Sequence, residues 1–365
     1  MKKLAIDKPL ALLVALLLFG GSLIFASAAF GLLGRGESGI SSVVTNHLLL
    51  GIGAGLVALF IAISIDYRLL RTYAPYIFGL AIFLTLCVFF PHIGLSHGGG
   101  RRWILVFGTS FQPSEALKLA TLVMTAAYFA GMKSKINLPL YGLGGFLAIV
   151  SLPTLILLLQ PDLGTLGVIL FSSLSVFWVA GARKRDILAL ALVAILALAM
   201  LAYIKPYVRD RVTTFLNPAQ GAQEESYQIR QSLIAIGSGQ VFGRGFGQGI
   251  QKFTYLPEPM GDSIFAVAGE ELGFIGAITI ILLFILFALR GYYVASRTAE
   301  PFGKYLATGI TTYLAIEAFI NIASMLGVAP LTGIPLTFVS QGGSAMLASL
   351  GSAGVLLCIS RKKHV

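Results

Sequence analysis

Charge is what this sequence has least of. Only 11% of its 365 residues are Asp, Glu, Lys or Arg, against about 25% in an ordinary soluble domain. A soluble globular chain with so little charge would not stay in solution, so the class is set early. Cysteine is nearly missing as well: Cys87 and Cys358 are too few for a disulfide framework, and both fall in apolar runs, as buried thiols would. The glycine-rich stretch at 237–249 has no strand before it and no Gly-Lys-Ser/Thr after it, which excludes a P-loop and a dinucleotide fingerprint.

What is present is hydrophobic: 57% of the chain, gathered into long uncharged runs separated by short charged clusters. A helix needs about 20 apolar residues to cross about 30 Å of hydrocarbon, and in lipid its backbone must satisfy its own hydrogen bonds. The runs predict an all-α polytopic membrane protein with about ten spans, near 9–33, 46–65, 74–93, 113–132, 138–159, 163–182, 187–204, 263–289, 305–328 and 343–360. The fifth and sixth are parted only by Gln160-Pro161-Asp162, so two helices meet at one membrane face. Lys2 and Lys3 ahead of an apolar run with Ala26-Ser27-Ala28 have the look of a signal peptide, but the uncharged run is far longer than the roughly 7–15 residues of a signal core. It is read as a retained helix.

Orientation follows the basic residues. With the N-terminus inside, the inner segments hold Lys2, Lys3, Lys8, Arg68, Arg71, Lys133, Lys135, Arg183, Lys184, Arg185, Arg290, Arg297, Lys304, Arg361, Lys362 and Lys363, which is 16 of the 26 basic residues. The short outer loops hold only Arg35, Arg101 and Arg102. Both termini are therefore expected in the cytoplasm. The net charge of +11 invites a nucleic-acid reading, but topology accounts for most of it, and no basic domain large enough to grip nucleic acid is present.

Four features depart from a plain bundle. The segment 205–262, between spans seven and eight, is long, polar and also rich in aromatics, and is read as an ordered outer loop with a short interfacial helix at 227–236. Its glycines at 237, 239, 243, 245, 247 and 249 permit close backbone approach; they form either a flexible loop or a backbone cradle for an anion, with Arg244 and Lys252 adding charge. Arg101 and Arg102 beside Trp103 either anchor a helix in headgroups or hold phosphate. Ionisable groups fall inside spans: Glu115 and Lys118, three apart on one helical face, then Glu270, Glu271 and Glu317, with Asn321 placed to bridge helices. Finally, Pro330 to Pro335 and Ser340-Gln341-Gly342-Gly343-Ser344 break the chain before the last span, as a re-entrant or lid-like outer loop at 329–342 would.

These segments resemble the SEDS family (shape, elongation, division and sporulation), whose members include FtsW and RodA. The strings are Arg101-Arg102-Trp103-Ile104, Phe111 to Lys118, Gln160-Pro161-Asp162-Leu163-Gly164-Thr165 and Phe215-Leu216-Asn217-Pro218. Further along come Tyr227-Gln228, Gln251-Lys252, Tyr255-Leu256-Pro257-Glu258, Gly269-Glu270-Glu271-Leu272-Gly273, Pro335 to Ser340 and Gly342-Gly343-Ser344. They cover roughly residues 100–345 in family order, and the Gln251 to Glu258 form is closer to FtsW than to RodA.

The resemblance implies one transmembrane domain over 1–365 and a peptidoglycan glycosyltransferase that polymerises lipid II, releasing undecaprenyl pyrophosphate. The family's essential outer-loop aspartate corresponds to Asp262, although Met260-Gly261 and Gln341 depart from the usual neighbours. By chemistry alone Asp262 serves as a base toward a sugar hydroxyl or as a cap for the helix at Ser263. Arg101, Arg102, Lys118, Arg244, Lys252, Glu258, Ser340, Gly342 and Gly343 are candidate substrate contacts; Glu115, Asp162, Glu270, Glu271 and Asn321 are supporting residues. No cofactor is demanded, and the chemistry admits a divalent cation, Mg²⁺ or Mn²⁺, shared between a carboxylate and pyrophosphate. Expected partners are lipid II, membrane lipids, a class B penicillin-binding protein and other division or elongation proteins. Rival readings are a lipid II flippase, for which the intramembrane charges would serve, and a non-catalytic division scaffold.

Overall fold

A computed structural model describes residues 6–34, 40–91, 93–97, 100–106, 109–132, 135–217 and 223–361. Lys2, Lys3, Arg35, Gly98, Gly99, Lys133, Pro218, Lys362 and Lys363 lie outside them. Every segment expected to span carries helix. These are α1 (Lys8–Ala29), α2 (Ile40–Asn46 and Ala54–Ser64 around a π-helical turn at His47–Gly53), α3 (Ala74–Cys87), α4 (Pro113–Gly131), α5 (Leu143–Leu159), α6 (Leu163–Ala180) and α7 (Lys184–Ile204). After the long connection, which itself contains α8 (Pro206–Leu216) and α9 (Gln223–Ser238), come α10 (Ile264–Arg297), α11 (Pro301–Met325) and α12 (Gly343–Ile359). Among the described residues, six helices are long and apolar enough to cross a membrane by themselves, and α3, α5 and α12 are shorter apolar helices.

The helix ends follow from local chemistry. Asp7 caps α1 by accepting from the Leu10 N–H at 3.0 Å, with Pro9 in the first turn. Asp162 caps α6 by accepting from the Thr165 N–H at 3.2 Å and its hydroxyl at 2.9 Å, which explains the tight break after α5. Gly181, at φ 106°, ends α6 in the left-handed conformation.

Burial separates the bundle's centre from its rim. α11 is the most enclosed of the long helices and packs against α10, α6 and α4; α12 packs on α2 and α1 on α10. α7 instead presents Leu188, Leu192, Ile195, Leu196 and Met200 outward, all exposed. Apolar surface on this scale has no place in water, and with the run lengths it makes the chain a multi-pass membrane protein. Both cysteines are free, Cys358 buried and Cys87 half-buried.

Two elements were not foreseen. An antiparallel sheet in the order β1 (Gly94–His97), β2 (Gly100–Val106), β3 (Thr109–Phe111) leads into α4. Trp103, Ile104 and Val106 favour a pleated strand, and the run was too short to stand out against its polar arginines. The interfacial helix expected at 227–236 is longer, 223–238, and α8 precedes it, opened by Pro206 at its first position.

α10 is 34 residues long, about 51 Å, yet it is two helices. Gly273 stands at φ 66° and ψ −165°, a region essentially closed to any other residue. The broken turn is filled by the loop at 240–245. Phe274 N–H donates to the Gln240 carbonyl at 2.8 Å and Ile275 N–H to Val241 at 3.2 Å. In return, Arg244 N–H donates to the Glu270 carbonyl at 3.0 Å and Gly245 N–H to Glu271 at 3.1 Å. A Cβ on Gly273 would lie 2.2 Å from the Gly243 nitrogen. Gly273→Ala is therefore expected to cost about 2–4 kcal/mol, read as a lower midpoint for thermal unfolding in detergent. Gly131→Ala, where an added Cβ meets open space, should leave that midpoint essentially unchanged.

Candidate active site

Asp262 sits on a turn that the backbone closes around Glu258. Glu258 is itself at φ 44°, and its carbonyl accepts from the Gly261 and Ser263 N–H groups, both at 3.1 Å. The first half of α10 starts directly afterwards, with Ser263 as N-cap and no side-chain cap bond. Ser263 is held from α9, where Gln228 donates its amide to the Ser263 hydroxyl at 3.0 Å. The Asp262 carboxylate is thus not used to cap the helix.

The irregular segment before α12 is stapled to this turn. Asn321 donates through Nδ2 to the carbonyls of Asp262 and Ile334, each at 2.8 Å, joining α11 to both. The Ser340 hydroxyl donates to the Gly261 carbonyl at 2.7 Å and accepts from the Leu336 N–H at 2.8 Å. Gln341 N–H donates to the Met260 carbonyl at 2.7 Å. Gly333, at φ 69°, faces the carboxylate: a Cβ there would lie 3.6 Å from Asp262 Oδ2. Expected helix-bridger and expected lid residue thus meet at the expected carboxylate.

The charges around Asp262 set its proton affinity. Burial pushes its carboxyl up from the ordinary range to about 6, and the Glu258 charge adds to the rise; Arg211 and Arg102 pull the other way. Arg102 is held on the turn between α5 and α6, donating to the Gln160 carbonyl at 3.3 Å and to the Pro161 carbonyl. Arg211 on α8 pairs with Glu225 on α9 at 3.2 Å. Tyr207, on the same helix, has its hydroxyl pushed up by burial, with Arg211 and Arg102 opposing. Gln112 donates weakly to Asp162 at 3.4 Å, tying the start of α4 to the same corner. Arg211 and Tyr207 were not singled out in the sequence; the overlooked signal was Pro206, which starts the helix that carries them.

Other candidates lie elsewhere. Arg101 and Arg102 are neighbours on β2, where successive side chains take opposite faces, and Arg101 is exposed. Lys118 is buried in an ion pair with Glu115 at 2.8 Å and a second with Glu317, below the Tyr313 ring at 4.9 Å. Thr337 of the lid meets this group, its hydroxyl 3.5 Å from Glu317 Oε2 and 3.2 Å from the Leu314 carbonyl.

Lys252 is fully buried, donating to Glu271 Oε1 at 2.6 Å, to the Ser27 hydroxyl of α1 at 2.8 Å and to the Gly247 carbonyl at 3.1 Å. The glycine loop is an anion cradle, and the anions it cradles are the protein's own. Gly247 N–H donates to Glu271 Oε2 at 3.0 Å, and Ile250 N–H donates to Glu270 Oε1 at 2.9 Å. Gln251 N–H reaches Glu270 Oε2 at 3.2 Å. Arg244, largely exposed, lies 3.6 Å from Glu270. Among the described residues no group of three or more His, Cys, Asp and Glu is placed to hold a metal.

Removing one member of a buried pair leaves an uncompensated charge, at a cost of about 3–5 kcal/mol. Lys252→Met should lower stability in detergent on that scale, and adding Glu271→Gln, which keeps one acceptor oxygen within reach of both Ser27 and Gly247 but removes the charge, should restore most of it. The check is an unfolding series on the two variants.

Comparison with known proteins follows the same lines. A family profile described as "Cell cycle protein", covering FtsW, RodA and SpoVE, matches residues 8–365. The chain is 38% identical over 352 residues to stage V sporulation protein E of Bacillus subtilis, covering 96% of each. It is 37% identical over 356 residues to a probable peptidoglycan glycosyltransferase FtsW of Geobacter sulfurreducens, covering 97% of this chain and 94% of the relative. Among solved structures, it is similar to a chain from "Structural coordination of polymerization and crosslinking by a peptidoglycan synthase complex", with TM-score 0.78, 26% identity and 99% of both chains covered. A mutant of the Thermus thermophilus rod shape determining protein RodA gives TM-score 0.73 at 25% identity, again over 99% of each chain.

Proposed function

We propose, because this chain belongs to the FtsW, RodA and SpoVE family of cell cycle proteins, that it is a peptidoglycan glycosyltransferase which polymerises lipid II. The observation that carries this reading is the placement of Asp262 on a pinned turn, with Arg102 and Arg211 as its cationic neighbours. Asp262 accepts the proton of a sugar 4-hydroxyl as that oxygen attacks C1 of a second lipid-linked sugar from the face opposite the leaving group, inverting the centre. The C1–O bond breaks and its electrons leave on undecaprenyl pyrophosphate. A base is most effective when its pKa lies near the working pH, and burial moves Asp262 in that direction. Arg102 and Arg211 meet the charge that develops on the pyrophosphate, through geometry suited to phosphate oxygens.

The Glu258 charge raises the proton affinity of Asp262, and these two carboxylates are the residues that would hold a divalent cation. Mg²⁺ or Mn²⁺ held there would neutralise pyrophosphate charge. We read the chain as ten spans with both termini in the cytoplasm and the Asp262 face outside the inner membrane, on the distribution of basic residues. A class B penicillin-binding protein is the expected partner, since a similar chain comes from a peptidoglycan synthase complex. A flippase needs ionisable groups free to exchange partners along a path, whereas Lys118, Glu317, Glu271 and Lys252 are engaged in closed pairs.

The test is labelled lipid II supplied to the purified protein with its partner in detergent, where transport has no meaning. Asp262→Asn is expected to abolish glycan chains. Equal polymer from that variant would remove Asp262 from the reaction, and no polymer from the parent under any condition would favour transport or scaffolding. With the carboxylate as the active form, rate should fall as pH drops through about 6. Arg102→Gln removes a charge that holds the value down, so the acid limb should move to higher pH in a rate–pH profile.

A further inference from the structure

The loop that fills the break in α10 turns an apolar surface outward. Val241, Phe242 and Phe246 are all exposed, and the backbone bonds from Phe274 and Ile275 to Gln240 and Val241 hold the loop at the level of the span. Large apolar side chains fixed at that depth belong in hydrocarbon. Next to Phe246 a half-open groove of about 410 Å³ runs between α1 and the second half of α10. Leu16, Gly20 and Leu23 line it from α1, and Ile275, Thr279 and Leu283 from α10. Thr279 is the one polar side chain in the lining, and its hydroxyl is spent on the Ile275 carbonyl at 2.7 Å.

Two adjacent glycines shape this groove differently. Gly21 lets α1 approach the segment before α12, since a Cβ there would lie 2.5 Å from the Phe338 carbonyl oxygen. A Cβ on Gly20 would meet nothing within 4 Å, so its place is open space in the groove. The length of the groove selects its occupant. From Leu16 to Ile24 the rise is about 12 Å and from Leu272 to Leu283 about 16 Å, half of the roughly 30 Å of hydrocarbon. A spanning partner helix would need the full thickness, whereas an acyl chain of one leaflet needs half.

The charge at one end selects the head. Arg244 is two residues from Phe246, with its Nε 3.3 Å from the Ser238 hydroxyl and 3.6 Å from Glu270. Its terminal nitrogens have no partner among the described residues. Glu270 is already met by the amides of Ile250 and Gln251, so the fork of Arg244 is left for phosphate oxygens. Neither the groove lining nor the segment 239–251 contains an Asp or Glu to repel an anion.

We propose that the groove between α1 and α10 holds one anionic phospholipid of the leaflet on the Asp262 side, its phosphate at Arg244 and one acyl chain beside Phe246. This site is separate from the reaction centre and stands whatever part Asp262 plays. Val339 lines the groove and precedes Ser340, whose hydroxyl holds the Gly261 carbonyl. The lipid therefore braces the segment stapled to the Asp262 turn.

Full-length protein stripped of lipid in detergent is titrated with phosphatidylglycerol, and bound lipid is counted by native mass spectrometry. Phosphatidylethanolamine and undecaprenyl phosphate are the comparison arms. The parent should retain one phosphatidylglycerol in preference to phosphatidylethanolamine. Arg244→Gln should weaken that binding about tenfold, a loss of about 1.4 kcal/mol. Gly20→Leu, which puts a side chain into the groove, should abolish it, and Thr279→Leu should do so from the facing helix. Gly131→Leu, at an equally open glycine on α4 outside the groove, should bind like the parent. Equal binding of phosphatidylglycerol and phosphatidylethanolamine overturns the assignment of the head. Binding undiminished in both filled variants overturns the groove. Undecaprenyl phosphate that displaces phosphatidylglycerol from the parent overturns the choice of lipid.

Discussion

The structure turns on one backbone requirement: a helix broken at membrane depth must have its freed N–H and C=O groups met by something other than water. Gly273 makes that break, and the loop at 240–251 supplies what it needs twice over. Backbone groups of residues 240, 241, 244 and 245 pair with those on either side of the glycine, and the amides of 247, 250 and 251 take the carboxylates of Glu270 and Glu271. Lys252 then neutralises Glu271 and reaches across to Ser27 on α1. A segment that looks by composition like a free loop is thereby fixed to the bundle at about the spacing of a helical turn.

That anchoring explains how the carboxylate proposed as the base can stand on irregular chain and still be placed. Asp262 follows the anchored loop by eleven residues and precedes the broken helix by two. Asn321 and Ser340 add restraints from α11 and from the segment before α12. The lid stands in turn on the buried group of Lys118, Glu115 and Glu317. Charges inside the spans thus act mainly as fixed points, and the charges left near Asp262 are Glu258, Arg102 and Arg211.

Much of this was legible in the sequence, and the gaps have physical causes. Run length located helix in every segment expected to span, because in lipid an apolar run of that length leaves few alternatives. Asp262 and Ser340 lie on segments expected to converge, whereas Asn321, read as a bridge between helices, holds the irregular chain at Asp262 and Ile334 instead. The glycine loop was read either as a flexible loop or as an anion cradle, and composition could not say that the anions are Glu270 and Glu271 of the same chain, since each pairing spans twenty residues or more. For Lys252 and Arg244 the same pairing accounts for their positions. Arg101 and Arg102 looked like one feature until β2 put them on opposite faces, a distinction visible only once the strand is known. Arg211 was passed over as one loop charge among several because the helix carrying it was not seen.

The contact between Ser27 and Glu271 joins residues 244 positions apart, and this bears on the order in which the molecule is assembled. α1 leaves the ribosome long before the residues it must bind exist. Glu270 and Glu271 are made after the amides and the ammonium that make their burial tolerable, so the two halves of α10 align only once those groups and Ser27 close on them. Closure of the bundle is then a late, long-range event that follows insertion of the individual spans. Chain entropy favours completing it in one concerted step, because each partial arrangement strands a carboxylate in hydrocarbon.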